Sequence, residues 1–181
     1  RDEMLETYRK VILQESYHSA PEEVRTMGKM FKEMFEEVGF RCKLTNVGTD
    51  ESGDMLTGIL GEDRPGKPII FGGHMDTVHK LGSFPCKFEV DDEGKVHGPG
   101  VLDMKGGIVI ALYVCKALNE IGYNSRPLKI CFAPDEEKLH KHGNTADQFL
   151  EFCKGGEFML NMETGLPGGD LCVSRKGKTE V

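Results

Sequence analysis

Short apolar runs alternate with amphipathic helical stretches along this chain, and several of the runs close on a histidine or a carboxylate. Pro68-Ile69-Ile70-Phe71 leads into Gly-Gly-His74-Met75-Asp76, Leu128 to Ala133 into Asp135-Glu136-Glu137, and Phe158 to Met162 into Glu163. Helices interleaved with buried strands predict an α/β fold, with a mixed, largely parallel sheet flanked by helices. In such folds the strand ends share one edge, where side chains from separate strands can be aimed at one point.

The elements can be drawn from their punctuation. Leu5, Tyr8, Ile12 and Leu13 give an amphipathic helix over residues 3 to 17. A second helix opens at Ser19, where Ser19 and Glu22 fit a capping box and Pro21 the first turn, and it closes at Gly39. Its inner face is Val24, Met27, Phe31, Met34, Phe35 and Val38 at helical spacing. Strands follow at Phe40 to Val47, Met55 to Leu60 and Pro68 to Phe71, and a hairpin pairs Lys87–Val90 with Lys95–His97 across Asp91 to Gly94. A long helix is expected from Met104 to Glu120 with Gly122 beyond it, then a strand from Pro127 to Ala133 and a helix from Thr145 to Phe152. A strand from Phe158 to Met162 and another beginning at Leu171 complete the set.

A net charge of -7 argues against nucleic acid, which asks for clustered Lys and Arg, and suits a site that gathers carboxylates around cations. No apolar run approaches the ~20 residues a membrane-spanning helix needs. The charged opening RDEMLETYRK is no signal peptide, and six dispersed cysteines without a C-x-x-C pair read as reduced thiols. Together these predict a cytoplasmic protein without a membrane or nucleic-acid partner. The chain opens on Arg1 and stops at Val181 inside the last expected strand, which suggests a fragment.

Each chemical segment has a plain reading beside the sharp one. His74 and Asp76 stand at i and i+2, so on extended chain they leave on one face, where the carboxylate can hold the second ring nitrogen of a metal-binding imidazole. A buried structural His–Asp pair would look the same. Asp103 can be a simple N-cap of the helix after it. Against that stand Gly106 and Gly107 in the first turn, each costing about 1 kcal/mol relative to Ala, a cost that close approach of another backbone would explain. Asp135-Glu136-Glu137 can be a solvated acidic turn, or a division of labour in which one carboxylate binds metal and its neighbour handles a proton. A lone Glu163 would be surface. Taken as a set, the nitrogen and carboxylate donors without thiolate favour Zn²⁺, Co²⁺ or Mn²⁺ over a Cys-rich structural zinc. A nucleotide-dependent enzyme using GPGVLDMKGG as a phosphate loop is a poor competing reading, because Lys105 precedes the Gly pair, no Ser or Thr follows it and the G-x-x-x-x-G-K pattern is absent.

GHMDTV, GPGVLDMKGG and DEE, supported by NMET and SRKG, give the chain from about Gly73 to Gly177 its family likeness. It resembles the zinc-dependent peptidases and deacylases that include glutamate carboxypeptidase, acetylornithine deacetylase, succinyl-diaminopimelate desuccinylase and aminoacylase. Phe84 and Pro85 bring the stretch from His74 to Gly107 nearest the glutamate carboxypeptidase branch. The resemblance implies a zinc-exopeptidase-like fold and two Zn²⁺ per active site. His74 and Glu163 would bind one ion, Asp103 would bridge the two, and Glu137 would belong to the second. Asp76 would orient His74, and Glu136 would be the general base toward a metal-activated water. The implied reaction is hydrolysis of an amide or peptide bond beside a carboxylate-bearing group, in a small peptide or an N-acyl amino acid. The alternatives are an N-acyl amino-acid deacylase and a non-catalytic metal-binding relative.

Family members are roughly twice this length. Residues 1–181 would therefore be the N-terminal part of the catalytic domain. The lid or dimerisation domain, the C-terminal part and the last histidine ligand would lie outside it, the isolated chain would be inactive, and the intact protein is a candidate homodimer. The family's stretch after DEE is small and Gly/Ser-rich, whereas this chain has Lys138-Leu139-His140-Lys141-His142-Gly143. His140 and His142 are expected to be solvated there, and His18, His79 and His97 are not expected to be ligands.

Overall fold

A computed structural model describes residues 1–84, 87–165, 168–169 and 172–173. Its order is α1 (Asp2–Leu13), α2 (Pro21–Glu37), β1 (Arg41–Asn46), β2 (Asp54–Leu60), β3 (Ile69–His74), β4 (Glu89–Val90), β5 (Val96–His97), α3 (Lys105–Glu120), β6 (Leu128–Ala133), α4 (Thr145–Cys153) and β7 (Phe158–Asn161). The strand expected from Leu171 lies outside the described residues.

Five strands form one mixed sheet in the order β1-β2-β6-β3-β7. β1, β2 and β6 pair antiparallel, whereas β3 pairs parallel with both β6 and β7. The parallel register sets His74 opposite Ala133 and Gly72 opposite Asn161, so the three strands that precede the acidic segments finish at one edge.

The two-residue period of the strands sorts the core into two layers. Leu56, Phe71, Ile130 and Phe132 meet Phe31, Phe35, Ile108 and Leu112 from α2 and α3. On the other face Met55, Ile70 and Cys131 meet Phe149, Phe152 and Cys153 of α4. The helices thus cover both faces, and the first cluster is the larger. α2 ends as its glycine predicts: Gly39 takes φ +103°, and the amides of Gly39 and Phe40 bond back to the carbonyls of Glu36 and Phe35.

Two expectations are corrected. α1 stops at Leu13 rather than continuing to 17, because Ser16 and His18 spend their backbone groups on the segment after β3. Thr77 N–H donates to Ser16 C=O at 2.8 Å and His18 N–H to Thr77 C=O at 2.9 Å. The capping box at Ser19 does not form. Ala20 is the residue before the helix, Ser19 Oγ lies 2.9 Å from His18 Nδ1, and Pro21 makes the turn without a side-chain cap. Cys42, Cys115, Cys131 and Cys153 are free thiols, and among the described residues no helix is long and apolar enough to cross a membrane.

Candidate metal centre

β3 extends three residues past Phe71, so His74 is the last residue of a central strand. His74 is 1% exposed and Asp76 is wholly buried. Around Asp76 the backbone is fastened on two sides. Met75 N–H donates to Ala133 C=O at 2.9 Å, and Ser16 Oγ donates to Met75 C=O at 2.7 Å. The segment after the strand therefore has no freedom to swing.

Asp76 joins two parts of the site. Its Oδ1 lies 3.2 Å from His74 Nδ1 and accepts the Glu136 N–H at 3.2 Å, while Oδ2 accepts the Glu137 N–H at 3.0 Å. One carboxylate thus holds the imidazole and the turn after β6 in fixed relation. The turn is a single 3₁₀ turn, Glu136–Lys138.

Asp103 is not the N-cap of α3. That position is Met104, no side-chain cap is made, and the Asp103 carboxylate reaches His74 Nε2 at 3.0 Å. Glu163 Oε1 approaches the same nitrogen at 3.2 Å and Glu136 Oε2 at 3.9 Å. The glycines explain how Asp103 and Glu163 meet. A Cβ on Gly107 would collide with the Met162 carbonyl oxygen, and one on Gly106 would crowd the Val101 carbonyl. A Cβ on Gly73 would strike the thioether of Met104, whose sulfur accepts the His74 N–H at 2.9 Å. Gly107 lets the start of α3 lie against the end of β7, and Gly106 lets it close on the loop at Val101.

Two groups of possible ligand atoms result, His74–Asp103–Glu163 and His74–Glu136–Glu137, each with its atoms within 4.8 Å of one another. One imidazole nitrogen carries at most one proton and cannot satisfy three carboxylates. Burial pushes Glu136 and Glu137 up; the charges of Glu163, Asp76 and Asp103 add to it at Glu136, and those of Asp103, Asp76 and Glu136 at Glu137, which reaches about 7. Burial alone would pull His74 down, but the carboxylates of Asp76 and Glu163 hold it at about 11. Such a cluster stores repulsion that a divalent cation relieves. Its oxygen and imidazole donors, without thiolate, fit Zn²⁺, Co²⁺ or Mn²⁺.

The other histidines are engaged elsewhere. His79 packs edge-on against Phe84, His97 Nε2 is 2.8 Å from Asp91 Oδ2, and His142 Nδ1 is 3.2 Å from Glu51 Oε2. His140 departs from expectation: it is half-buried, with Nδ1 2.8 Å from Asp135 Oδ1. Sequence reasoning also passed over Lys105, which is fully buried and donates from Nζ to Gln14 C=O at 2.6 Å. Its burial lowers its pKa to about 7. Its place beside Asp103 in an otherwise apolar helix was the available signal.

The chain also has relatives among known proteins. The model for peptidase family M20/M25/M40 matches residues 70–172. Carboxypeptidase G2 of Pseudomonas sp. (strain RS-16) is 27% identical over 169 residues, covering 92% of this chain and 40% of the relative. Succinyl-diaminopimelate desuccinylase of Rickettsia bellii is 30% identical over 158 residues, covering 81% of this chain and 38% of the relative. Among solved structures, human carnosine dipeptidase 1 superposes with a TM-score of 0.76 at 19% identity, over 88% of this chain and 38% of that one. The M20 family metallo-carboxypeptidase Sso-CP2 from Sulfolobus solfataricus gives 0.76 at 17% identity, over 93% and 39%. The chain thus spans about 40% of the length of these relatives.

Proposed function

The chain belongs to peptidase family M20/M25/M40, and from that membership we propose that it is the metal-holding part of a hydrolase that cleaves an amide or peptide bond beside a carboxylate-bearing group. The segment is the N-terminal part of the catalytic domain, and the intact protein adds a lid or dimerisation domain, further ligands and substrate contacts. The substrate is a small peptide, as for a carboxypeptidase, with N-acyl amino-acid deacylation the second reading. Carboxypeptidase G2 and a desuccinylase resemble this chain at similar identity, which keeps both open.

Two divalent cations fit the donor set. His74, Asp103 and Glu163 would hold the first, and Asp103 with Glu137 the second. When bound, such ions polarise a scissile carbonyl and lower the pKa of water. The protein's own groups do the rest. Asp76 accepts from His74 Nδ1, which fixes the ring's tautomer and leaves Nε2 facing the cleft. Glu136 is the general base. It takes a proton from the attacking water as the carbon–oxygen bond forms, and delivers it to the leaving nitrogen as the carbon–nitrogen bond breaks.

One observation carries this reading. Glu136 is anchored through its backbone N–H while its carboxylate is 48% exposed and only 3.9 Å from His74 Nε2. Its side chain thus stands beside the candidate ligands and stays open to exchange a proton. Replacing Glu136→Gln in the intact protein should lower kcat by about 10²- to 10⁴-fold. Zinc content should not change. Unchanged turnover would sink the assignment of the base, and loss of zinc with turnover would make Glu136 a ligand instead.

A further inference from the structure

The turn that carries Glu136 and Glu137 is held from behind as well as in front. Asp135 is a charged residue only 1% exposed. Its Oδ2 accepts Ser52 Oγ and Thr145 Oγ1, both at 3.1 Å, and its Oδ1 accepts His140 Nδ1 at 2.8 Å. A carboxylate is acceptor-only, so the ring nitrogen must be the donor. These three donors come from the β1–β2 loop, the first residue of α4 and the far side of the turn itself.

The chain accepts strain to bring His140 there. Leu139 and His140 both take the left-handed conformation, at φ 57° and 53°, which costs a residue with a Cβ about 1 kcal/mol or more. His140 is of the polar type that tolerates this region and can use it to bond locally. The loop closes through Leu139 N–H to Glu136 C=O at 2.7 Å and His140 N–H to Asp135 C=O at 3.2 Å.

We propose that His140 is a positioning residue for Glu136 and Glu137, acting through Asp135. It touches no ligand atom. Its ring bond anchors the near end of the turn, and the turn in turn presents the Glu136 and Glu137 amides to Asp76. Without the ring, Asp135 keeps only two neutral donors for a buried charge, and the turn gains an escape toward solvent. The Lys138–Gly143 segment, where the chain departs from the small residues of its family, thereby gains a purpose. The functional weight of the proposal rests on the assignment of Glu136 and Glu137 above, but the anchoring itself does not.

Hydrogen exchange on the full chain separates the two. Two variants keep the left-handed backbone comfortable: His140→Gly removes the donor, and His140→Asn retains a side-chain N–H at the position of Nδ1. In His140→Gly the Glu136 and Glu137 amides should exchange about tenfold faster or more, while those of β1 and β2 hold their rates. His140→Asn should restore most of the protection. Ser52→Ala, which strips another donor from the same carboxylate, should move the same amides in the same direction by less. Equal protection in wild type and His140→Gly overturns the proposal, as does faster exchange that His140→Asn fails to rescue. A Co²⁺ titration read by visible absorption then tests the consequence. His140→Gly should weaken the site that includes Glu137 about tenfold and leave the His74–Glu163 site unmoved. If wild type shows the exchange pattern but binds no Co²⁺, the metal reading fails and the anchoring stands.

Discussion

The floor of the site and its rim are built differently. His74 and Asp76 have almost no exposure and are held by hydrogen bonds to backbone on several sides, whereas the side chains of Asp103 and Glu136 are 59% and 48% exposed. The floor stores geometry in low dielectric, where an unpaired group is expensive. Rim carboxylates are placed by their backbones and keep their tips partly in solvent, where a cation or a proton can reach them. Damage to the floor should therefore reach fold and chemistry together, and damage to the rim should reach chemistry alone.

The sharpest way to break that distinction is at Asp76. Asp76→Ala would strand the His74 ring and the Glu136 and Glu137 amides in a buried place. It should cost about 3 kcal/mol of unfolding free energy in the metal-free chain, measured by urea titration. It should also weaken zinc binding by about 10- to 100-fold. A loss of affinity with no loss of stability would mean that the floor stores no geometry.

Gly107→Ala tests how the rim is brought to the floor. Its methyl group would force α3 from the Met162 carbonyl and part Asp103 from Glu163. A cost of about 2 kcal/mol is expected, with weakened zinc binding. Gly122→Ala faces open space, although its φ of +71° makes it a control for backbone strain rather than for crowding.

A third test is a slope with pH. Glu137 is raised from an ordinary 4.5 to about 7 by burial and by Asp103, so the folded chain binds more protons than the unfolded one across that window. Stability must then fall as pH rises through it. His74 is raised from 6.5 to about 11, and its contribution is complete below 6.5 and lost on climbing toward 11. The two slopes have the same sign. The metal-free Tm should decline from about pH 5 to about pH 9, and saturating Zn²⁺ should flatten or reverse the decline, because a cation binds the deprotonated donors. A metal-free Tm that rises over this window would contradict the account.

Much of this was legible in the sequence because local pattern and tertiary burial agree. The apolar runs of β3 and β6, the Gly39 ending of α2 and the Gly106-Gly107 pair each carry their structural reason in their own residues, whereas the apolar run of β7 is exposed. His74, Asp76, Asp103, Glu136, Glu137 and Glu163 were readable as candidates, since each stands at or past a strand end or before a helix. What escaped depended on partners distant in sequence. The end of α1 is decided by Thr77, some sixty positions away, and nothing near Leu13 announces it. The capping box at Ser19 lost to Pro21, which starts the helix one residue later than the box requires. His140 looked like one more polar residue in a Lys-containing loop, because its partner is a buried charge that only the folded turn creates.

Zinc binding by this chain, followed by isothermal titration and elemental analysis, tests the central claim most directly. The account predicts a tight first equivalent that is lost in His74→Ala and Glu163→Gln and retained in Glu136→Gln. No bound zinc, or binding indifferent to His74 and Glu163, would contradict it.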